Sequence, residues 1–220
     1  MNLNDFLIPT GDVCRRPGPF DRIVLSSRVR LARNLQDTPF PGRANKSERQ
    51  NLLQTMKPVI ESLRSMKEGF SEELSKLKRL EKQILVERHL ISRELASKSQ
   101  GSAIVLSMDE TFCVMINEED HLRMQAILPG LQIKEAWKSM NKMDTMLESK
   151  LPIAFSSDFG YLTACPTNLG TGIRVSAMLH LPGLVMAEHM QQTITAVNKL
   201  GLAVRGLYGE GTEALGNVFQ

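Results

Sequence analysis

The chain has 220 residues, of which 42% are hydrophobic and 23% charged, with a formal net charge of +3. That is the balance of an ordinary globular protein of one large domain or two small ones, with too little charge to argue for nucleic-acid binding and no apolar run of transmembrane length. Cys14, Cys113 and Cys165 lack C-x-x-C spacing, which argues against a disulfide framework or a zinc site and points to a reducing cytosol.

Residues 1–20 carry Pro9, Gly11, Pro17, Gly18 and Pro19 and read as an irregular lead-in. They show neither the basic nor the apolar stretch of a signal peptide, so a cytoplasmic location is expected. I-V-L-S-S-R-V-R-L, from Ile23, reads as a strand ended by T-P-F-P-G-R. The spacing of Leu52, Leu53, Met56, Ile60 and Leu63 predicts a helix over 45–66, capped by Asn45 or Ser47, with a kink or early break at Pro58. A second helix is predicted over 71–85, with Ser71 as cap and Leu74, Leu77, Leu80, Ile84 and Leu85 as its stripe. S-A-I-V-L-S-M and F-C-V-M-I form a hairpin about D-E-T, and alternation from Leu122 to Leu128 gives another strand.

Residues 132–147 read as a helix, and 153–165 as a hairpin turning at Asp158, Phe159 and Gly160. Residues 173–180 alternate as a strand, 185–200 form a helix, and L-A-V-R-G reads as a last strand before a glycine-rich segment, Gly206 to Gly216. Hairpins mixed with helices predict an α+β fold, an antiparallel β-sheet flanked by helices. With no repeat and no interdomain linker, one domain is expected.

Arg28 and Arg30 share one face of their strand, about 7 Å apart, while Val29 and Leu31 point into a core. Two like charges on one face call for an anion between them, and guanidinium forks match phosphate oxygens. The alternative is an edge strand whose arginines face water. Arg174 and Arg205 repeat the pattern, and Arg123 follows the acidic run N-E-E-D-H. Glu119 in that run and Glu210 in Y-G-E-G-T-E are candidate carboxylates, although such acidic runs are more often solvated. Cys165 precedes Pro166 and a glycine loop. Beside arginines it would ionise readily; otherwise it is a small buried hydrophobe. Cys14 and Cys113 lack such surroundings, and Cys113 reads as core. G-T-G-I-R-V opens a strand and lacks the third glycine of a dinucleotide loop. The four histidines have no metal-ligand spacing, so no metal ligand is assigned.

S-S-R-V-R-L-A-R-N, N-E-E-D-H-L-R, C-P-T-N-L-G-T-G-I-R and R-G-L-Y-G-E-G-T-E, in this order from residue 26 to residue 213, resemble the guanidino-kinase (phosphagen kinase) family. Within it the resemblance is to the bacterial branch that phosphorylates arginine side chains of proteins, a branch that V-E-R-H-L-I-S-R-E-L also resembles. The resemblance implies an antiparallel sheet saddle of glutamine synthetase type over residues 21–220. It implies ATP with Mg²⁺ as the donor. Arg28, Arg30, Arg123, Arg174 and Arg205 would hold the phosphates, with Ser26, Ser27 and Val29 beside them and His89 at the adenine end. Val175, Ser176, Ala177, Met178, Gly206, Leu207, Tyr208, Gly209 and Glu210 would line the nucleotide.

Glu119, Cys165 and Glu210 would face the acceptor guanidinium. By the same resemblance the partners are protein substrates with exposed arginine, among them a heat-shock repressor, an activator protein, and a Clp protease that degrades marked proteins. Neither membrane nor nucleic acid is expected as a partner. The resemblance also implies that the catalytic domain continues beyond Gln220, and that an N-terminal helical domain covering a small acceptor has no room before Arg28. A free-arginine kinase and an inactive nucleotide-binding fragment are the alternatives at this stage.

Overall fold

The computed structural model describes residues 12–206 and 215–220. Strands β1 (Val24–Arg33), β2 (Phe70–Glu73), β3 (Ala103–Leu106), β4 (Phe112–Ile116), β5 (Leu122–Pro129), β8 (Ile173–His180) and β9 (Val218–Phe219) form a seven-stranded sheet in the order β2-β3-β4-β5-β1-β8-β9. Every pairing in it is antiparallel. β6 (Phe155–Ser156) and β7 (Gly160–Tyr161) make a separate hairpin at the expected turn. The helices are α1 (Lys46–Glu61), α2 (Arg79–Glu87), α3 (Arg93–Ser97), α4 (Ile133–Glu148), α5 (Pro182–Met186) and α6 (Met190–Lys199). Among the described residues no helix is long and apolar enough to cross a membrane.

Period-two alternation divides the sheet into two faces. Val29, Leu31, Val114, Ile116 and Met124 pack against Leu53, Met56 and Ile60 of α1 and Met140, Met143 and Leu147 of α4. On the other face of β3 and β4, Ile104, Leu106, Cys113 and Met115 pack against Leu74, Leu85, Leu90 and Leu95. Each such side chain, fully buried, stabilises the fold by roughly 1.5–3 kcal/mol. The second cluster stops at β4, so the same face of β5, β1 and β8 is left open beside the α2–α3 wall.

Four sequence expectations change. The first helix is capped at Asn45, whose Oδ1 accepts the Glu48 N–H at 2.9 Å while Glu48 Oε2 accepts the Asn45 N–H at 2.7 Å. It ends at Glu61, short of Met66 and within one turn of Pro58, which has no N–H to give the Gln54 carbonyl, so the helix stops early as the proline led one to expect. The predicted helix 71–85 is instead strand β2, a turn, and α2. Phe70 and Ser71 pair with Leu106 and Val105, and Gly69 lets the chain approach, since a Cβ there would lie 1.9 Å from the Leu106 carbonyl oxygen. Leu74 and Leu85 still meet in one cluster, so the helical spacing was real but came from a strand followed by a helix.

The predicted helix 185–200 is two helices separated at Glu188, whose φ of 58° breaks the first. L-A-V-R-G forms no strand: β9 takes the place beside β8, leaving Arg205 to exchange backbone bonds of 2.8 and 2.9 Å with Gln220.

One charged pair lies on the apolar side. Arg33 Nε and Nη2 donate to the two Asp144 oxygens at 3.0 and 2.6 Å, with side chains only 3% and 7% exposed. Removing one member leaves a buried charge unpaired. Asp144→Ala is therefore expected to destabilise by about 3–5 kcal/mol, read from urea denaturation.

Candidate active site

Register builds the site. Arg30 of β1 lies opposite Gln125 of β5 and Arg174 of β8, and Arg28 lies opposite Ser176. Arg123 lies opposite Met115 and Ala32. Opposed residues share a face, so arginines from separate strands converge on the open side of the sheet. They line one cleft of about 560 Å³. His89, Ser92 and Lys98 form its α2–α3 wall, Arg205 and Gln220 contribute from the C-terminal side, and Glu118 and Glu119 stand at the end of β4.

The cleft is short of negative charge. Burial, then Arg123 and Arg174, pushes the Arg28 guanidinium down to about 10, relieved in part by Cys14. Burial, then the neighbouring guanidiniums, pushes Arg30 down to about 8. The buried Nε of Arg30 has no hydrogen-bond partner, and that of Arg28 reaches only Ser176 Oγ at 3.4 Å. Among the described residues no carboxylate forms a salt bridge with Arg28, Arg30 or Arg174. Arg123 differs, since its Nη1 binds Glu118 Oε1 at 2.5 Å. Glu118 also accepts from Ser92 Oγ at 2.6 Å and from the Glu119 N–H at 2.8 Å. Burial raises its carboxyl, but Arg123 and these donors hold it below the ordinary value.

At the other end, Ser26, Ser176 and Met178 line a narrower pocket with Arg28, His89 and Cys14. Cys14 Sγ lies 3.6 Å from Ser26 Oγ, so this thiol does have an arginine-side setting, contrary to the sequence reading. Burial, then Arg28, pushes the His89 imidazole from 6.5 down to about 4. Between those values the folded chain binds fewer protons than the unfolded one, so stability rises with pH across that window. Acidification from pH 6.5 to 4 is expected to cost up to roughly 3 kcal/mol from this group. His89→Gln should flatten that slope in urea melts at stepped pH.

On the acceptor side, burial, then Asp120 and Glu118, raises the Glu119 carboxyl. Glu119 shares a small recess with Asn168, Gly172, Arg30 and Arg174. Cys165 sits just before the turn Pro166–Asn168, with its Sγ 3.0 Å from Thr167 Oγ1, and is not among the residues lining the cleft. The remaining predicted residues divide. Val29, Val175 and Ala177 have the opposite parity to Arg28 and Ser176, and their side chains turn to the other face. Ser27 does the same, donating to the Gly130 carbonyl at 2.8 Å and accepting the Gln132 N–H at 2.9 Å. Gly206 is buried beside Arg205, and Leu207, Tyr208, Gly209 and Glu210 lie outside the described residues.

Sequence reasoning missed the supports. Gln125 Nε2 donates to the His89 carbonyl at 2.9 Å and to that of Leu90 at 3.1 Å, fixing the wall to β5. Arg88 grips the buried Glu110 through Nε and Nη2 at 3.1 and 3.0 Å behind it. Parity was the available signal for Arg33: it falls on the apolar side of β1, where a cation needs a buried acid, and Asp144 interrupts the apolar stripe of α4.

An antiparallel sheet presenting clustered guanidiniums to one cleft, with carboxylates at its end, offers a polyanion a set of charged donors. Residues 51–220 match the ATP:guanido phosphotransferase C-terminal catalytic domain, and the chain belongs to this family. It is 52% identical over 206 residues to a protein-arginine kinase of Pelotomaculum thermopropionicum, covering 92% of this chain and 58% of that protein. It is 45% identical over 214 residues to a protein-arginine kinase of Brevibacillus brevis, covering 96% and 60%. The chain thus spans well under two thirds of the length of these relatives. The duplicated taurocyamine kinase from Schistosoma mansoni, solved with transition-state-analogue components, superposes with a TM-score of 0.80 at 26% identity, covering 100% of this chain and 31% of that one. The fold expected from the sequence, helices on an antiparallel sheet, is the one found.

Proposed function

We propose that this chain phosphorylates the guanidinium of arginine side chains in proteins, with MgATP as phosphoryl donor. The observation that carries the reading is the cluster of Arg28, Arg30 and Arg174 on one cleft, forming no salt bridge among the described residues and holding a buried guanidinium nitrogen without a partner. A triphosphate supplies both the charge and the acceptors. The names of the relatives support arginine as acceptor, and Glu119 beside the cluster supplies a base.

In this reading Arg28, Arg30, Arg123, Arg174 and Arg205 hold the phosphates in line, and neutral His89 contacts the adenine. Glu119 takes a proton from the acceptor guanidinium as its nitrogen meets the γ-phosphorus. A raised carboxyl suits that task, because it binds the proton more readily than an ordinary glutamate. Cys165 and Glu210 would orient the other edges of the guanidinium. Mg²⁺ would arrive on the triphosphate oxygens and spread their charge; among the described residues no three acidic, His or Cys side chains are grouped to hold a metal on their own. Most of the acceleration is then positioning and electrostatics.

Residues 21–220 act here as one catalytic domain after a lead-in over 1–20, in the cytoplasm, marking proteins for degradation under stress. The partners in this reading are a heat-shock repressor as substrate, an activator protein and a Clp protease, with no membrane or nucleic acid engaged. The test is incubation of the chain with MgATP and either an arginine-rich protein or free arginine, followed by mass spectrometry. Label on protein arginine is expected. Label on free arginine alone would replace this reading with a phosphagen kinase, and bound nucleotide without transfer would make the chain an inactive binder.

A further inference from the structure

The segment from Ala164 to Gly172 joins the acceptor side to the donor side, and adjacent residues at the end of β1 fasten both its ends. At the near end, Asn34 Nδ2 donates to Asp120 Oδ1 at 2.6 Å and to the Leu162 carbonyl at 2.9 Å. Asn34 Oδ1 accepts the His121 N–H at 2.8 Å. The same Asp120 oxygen accepts the Ala164 N–H at 2.7 Å. Asn34 is 1% exposed and Asp120 3%. The Asn34 amide thus spends both donors and its acceptor on the segments around Glu119 and Cys165. At the far end, Arg33 Nη1 donates to the Thr171 carbonyl at 3.0 Å while its other nitrogens grip Asp144. The guanidinium rests directly on Gly172, where a Cβ would lie 2.7 Å from Nη1.

Asp120 follows Glu119, and Ala164 precedes Cys165. One carboxylate oxygen therefore ties together the two chain segments that carry the acceptor-side candidates. Among the described residues no cation forms a salt bridge with Asp120. A well-packed apolar pair would serve stability at least as well as a buried carboxylate held by N–H donors alone. What an apolar pair could not do is hold two separate segments at a hydrogen-bonded distance.

We propose that Asn34 and Asp120 are positioning residues that set the separation between Glu119 and Cys165, with Arg33 fixing the far end of the same segment. The inference rests on the reading of the site as one that phosphorylates a guanidinium. Neither side chain is assigned contact with ATP or with the acceptor.

The test compares Asn34→Ala, Asp120→Ala and Asp120→Asn in the full chain. Asn at 120 keeps an oxygen that can accept both N–H groups while losing the charge. The alanine variants are expected to lower kcat for transfer to an arginine-bearing protein by about a hundredfold, the scale of a misplacement near 1 Å, with the Kd for ATP changed by less than about twofold. Amide exchange at Ala164 and alkylation of Cys165 should both quicken in the alanine variants. Measured above the acid limb, Asp120→Asn should keep kcat within about threefold of the unsubstituted chain and keep the Ala164 amide protected, while the limb itself moves to lower pH because the Asp120 charge that helps to raise Glu119 is gone. Unchanged kcat in the alanine variants, or ATP affinity falling in step with kcat, overturns the proposal. Should the alanine variants not fold, the unsubstituted chain and Asp120→Asn decide it: a fast-exchanging Ala164 amide in either contradicts the clasp. If the unsubstituted chain transfers phosphate to no guanidino acceptor, the functional reading fails, while exchange at Ala164 still reports whether the clasp holds.

Discussion

Arg30→Met should weaken ATP binding by about ten- to a hundredfold or more and at the same time raise the stability of the nucleotide-free protein. The two effects have one cause. Arg30 is half-buried at the centre of the cluster, between Gln125 and Arg174 in the ladder, with its buried Nε unpartnered and its charge opposed by Arg28, Arg123 and Arg174 and offset only in part by Glu118. Without an anion that charge is a cost, and Met keeps the packing of the alkyl stem while removing it. With a triphosphate present the same guanidinium makes charge-assisted bonds worth about 1.5–3 kcal/mol each, so affinity should fall by roughly ten- to a hundredfold or more. Thermal denaturation without nucleotide and calorimetric titration with ATP measure the two halves. A variant that loses stability in the nucleotide-free state would show that the cluster is not under electrostatic strain.

Glu119→Gln should leave ATP binding nearly intact and lower kcat by about 10²–10⁴-fold, the usual contribution of a positioned general base. The residue stands at the end of β4, away from the narrow pocket of Ser26, His89 and Met178, so nucleotide contacts survive the change. Its carboxyl is raised by burial and then by Asp120 and Glu118. A base must be deprotonated to act, so kcat falls as pH drops through this raised value. The acid limb of the kcat profile should therefore sit above the ordinary glutamate range and vanish in Glu119→Gln. Retention of that limb in the variant would assign the base to another carboxylate.

Much of this was legible in the sequence, and the reason is parity. In a strand, alternate residues share a face whatever the sheet order, so Arg28 and Arg30 could be placed together on β1 before any pairing was known, while the convergence of Arg174 on them needed the register of β8. Of the long helices, α1 declared itself by its cap and stripe and α4 by its stripe alone. What parity cannot give is which strands are neighbours: that Arg30 lies between Gln125 and Arg174 depends on β8 pairing with β1 across more than a hundred residues of chain. The error at 71–85 has a related origin. Leu74 and Leu85 are buried together by tertiary packing, and their spacing fits a helix as well as a strand, a turn and a helix. Asn34, Asp120 and Arg33 were hidden because buried polar networks are defined by partners far apart in sequence. The parity of Arg33 and the acid within the stripe of α4 were signals for the Arg33–Asp144 pair alone.

The central claim is that the cleft moves a phosphoryl group onto a guanidinium nitrogen. Phosphorus NMR of the chain with MgATP and an arginine-bearing protein tests it most directly, because a P–N bond is distinguished from a phosphate ester by its shift and by its loss in acid. The account predicts a new acid-labile phosphoramidate resonance that grows as ATP is converted to ADP and is absent in Glu119→Gln. An acid-stable ester, or ADP and inorganic phosphate with no P–N resonance, would contradict it.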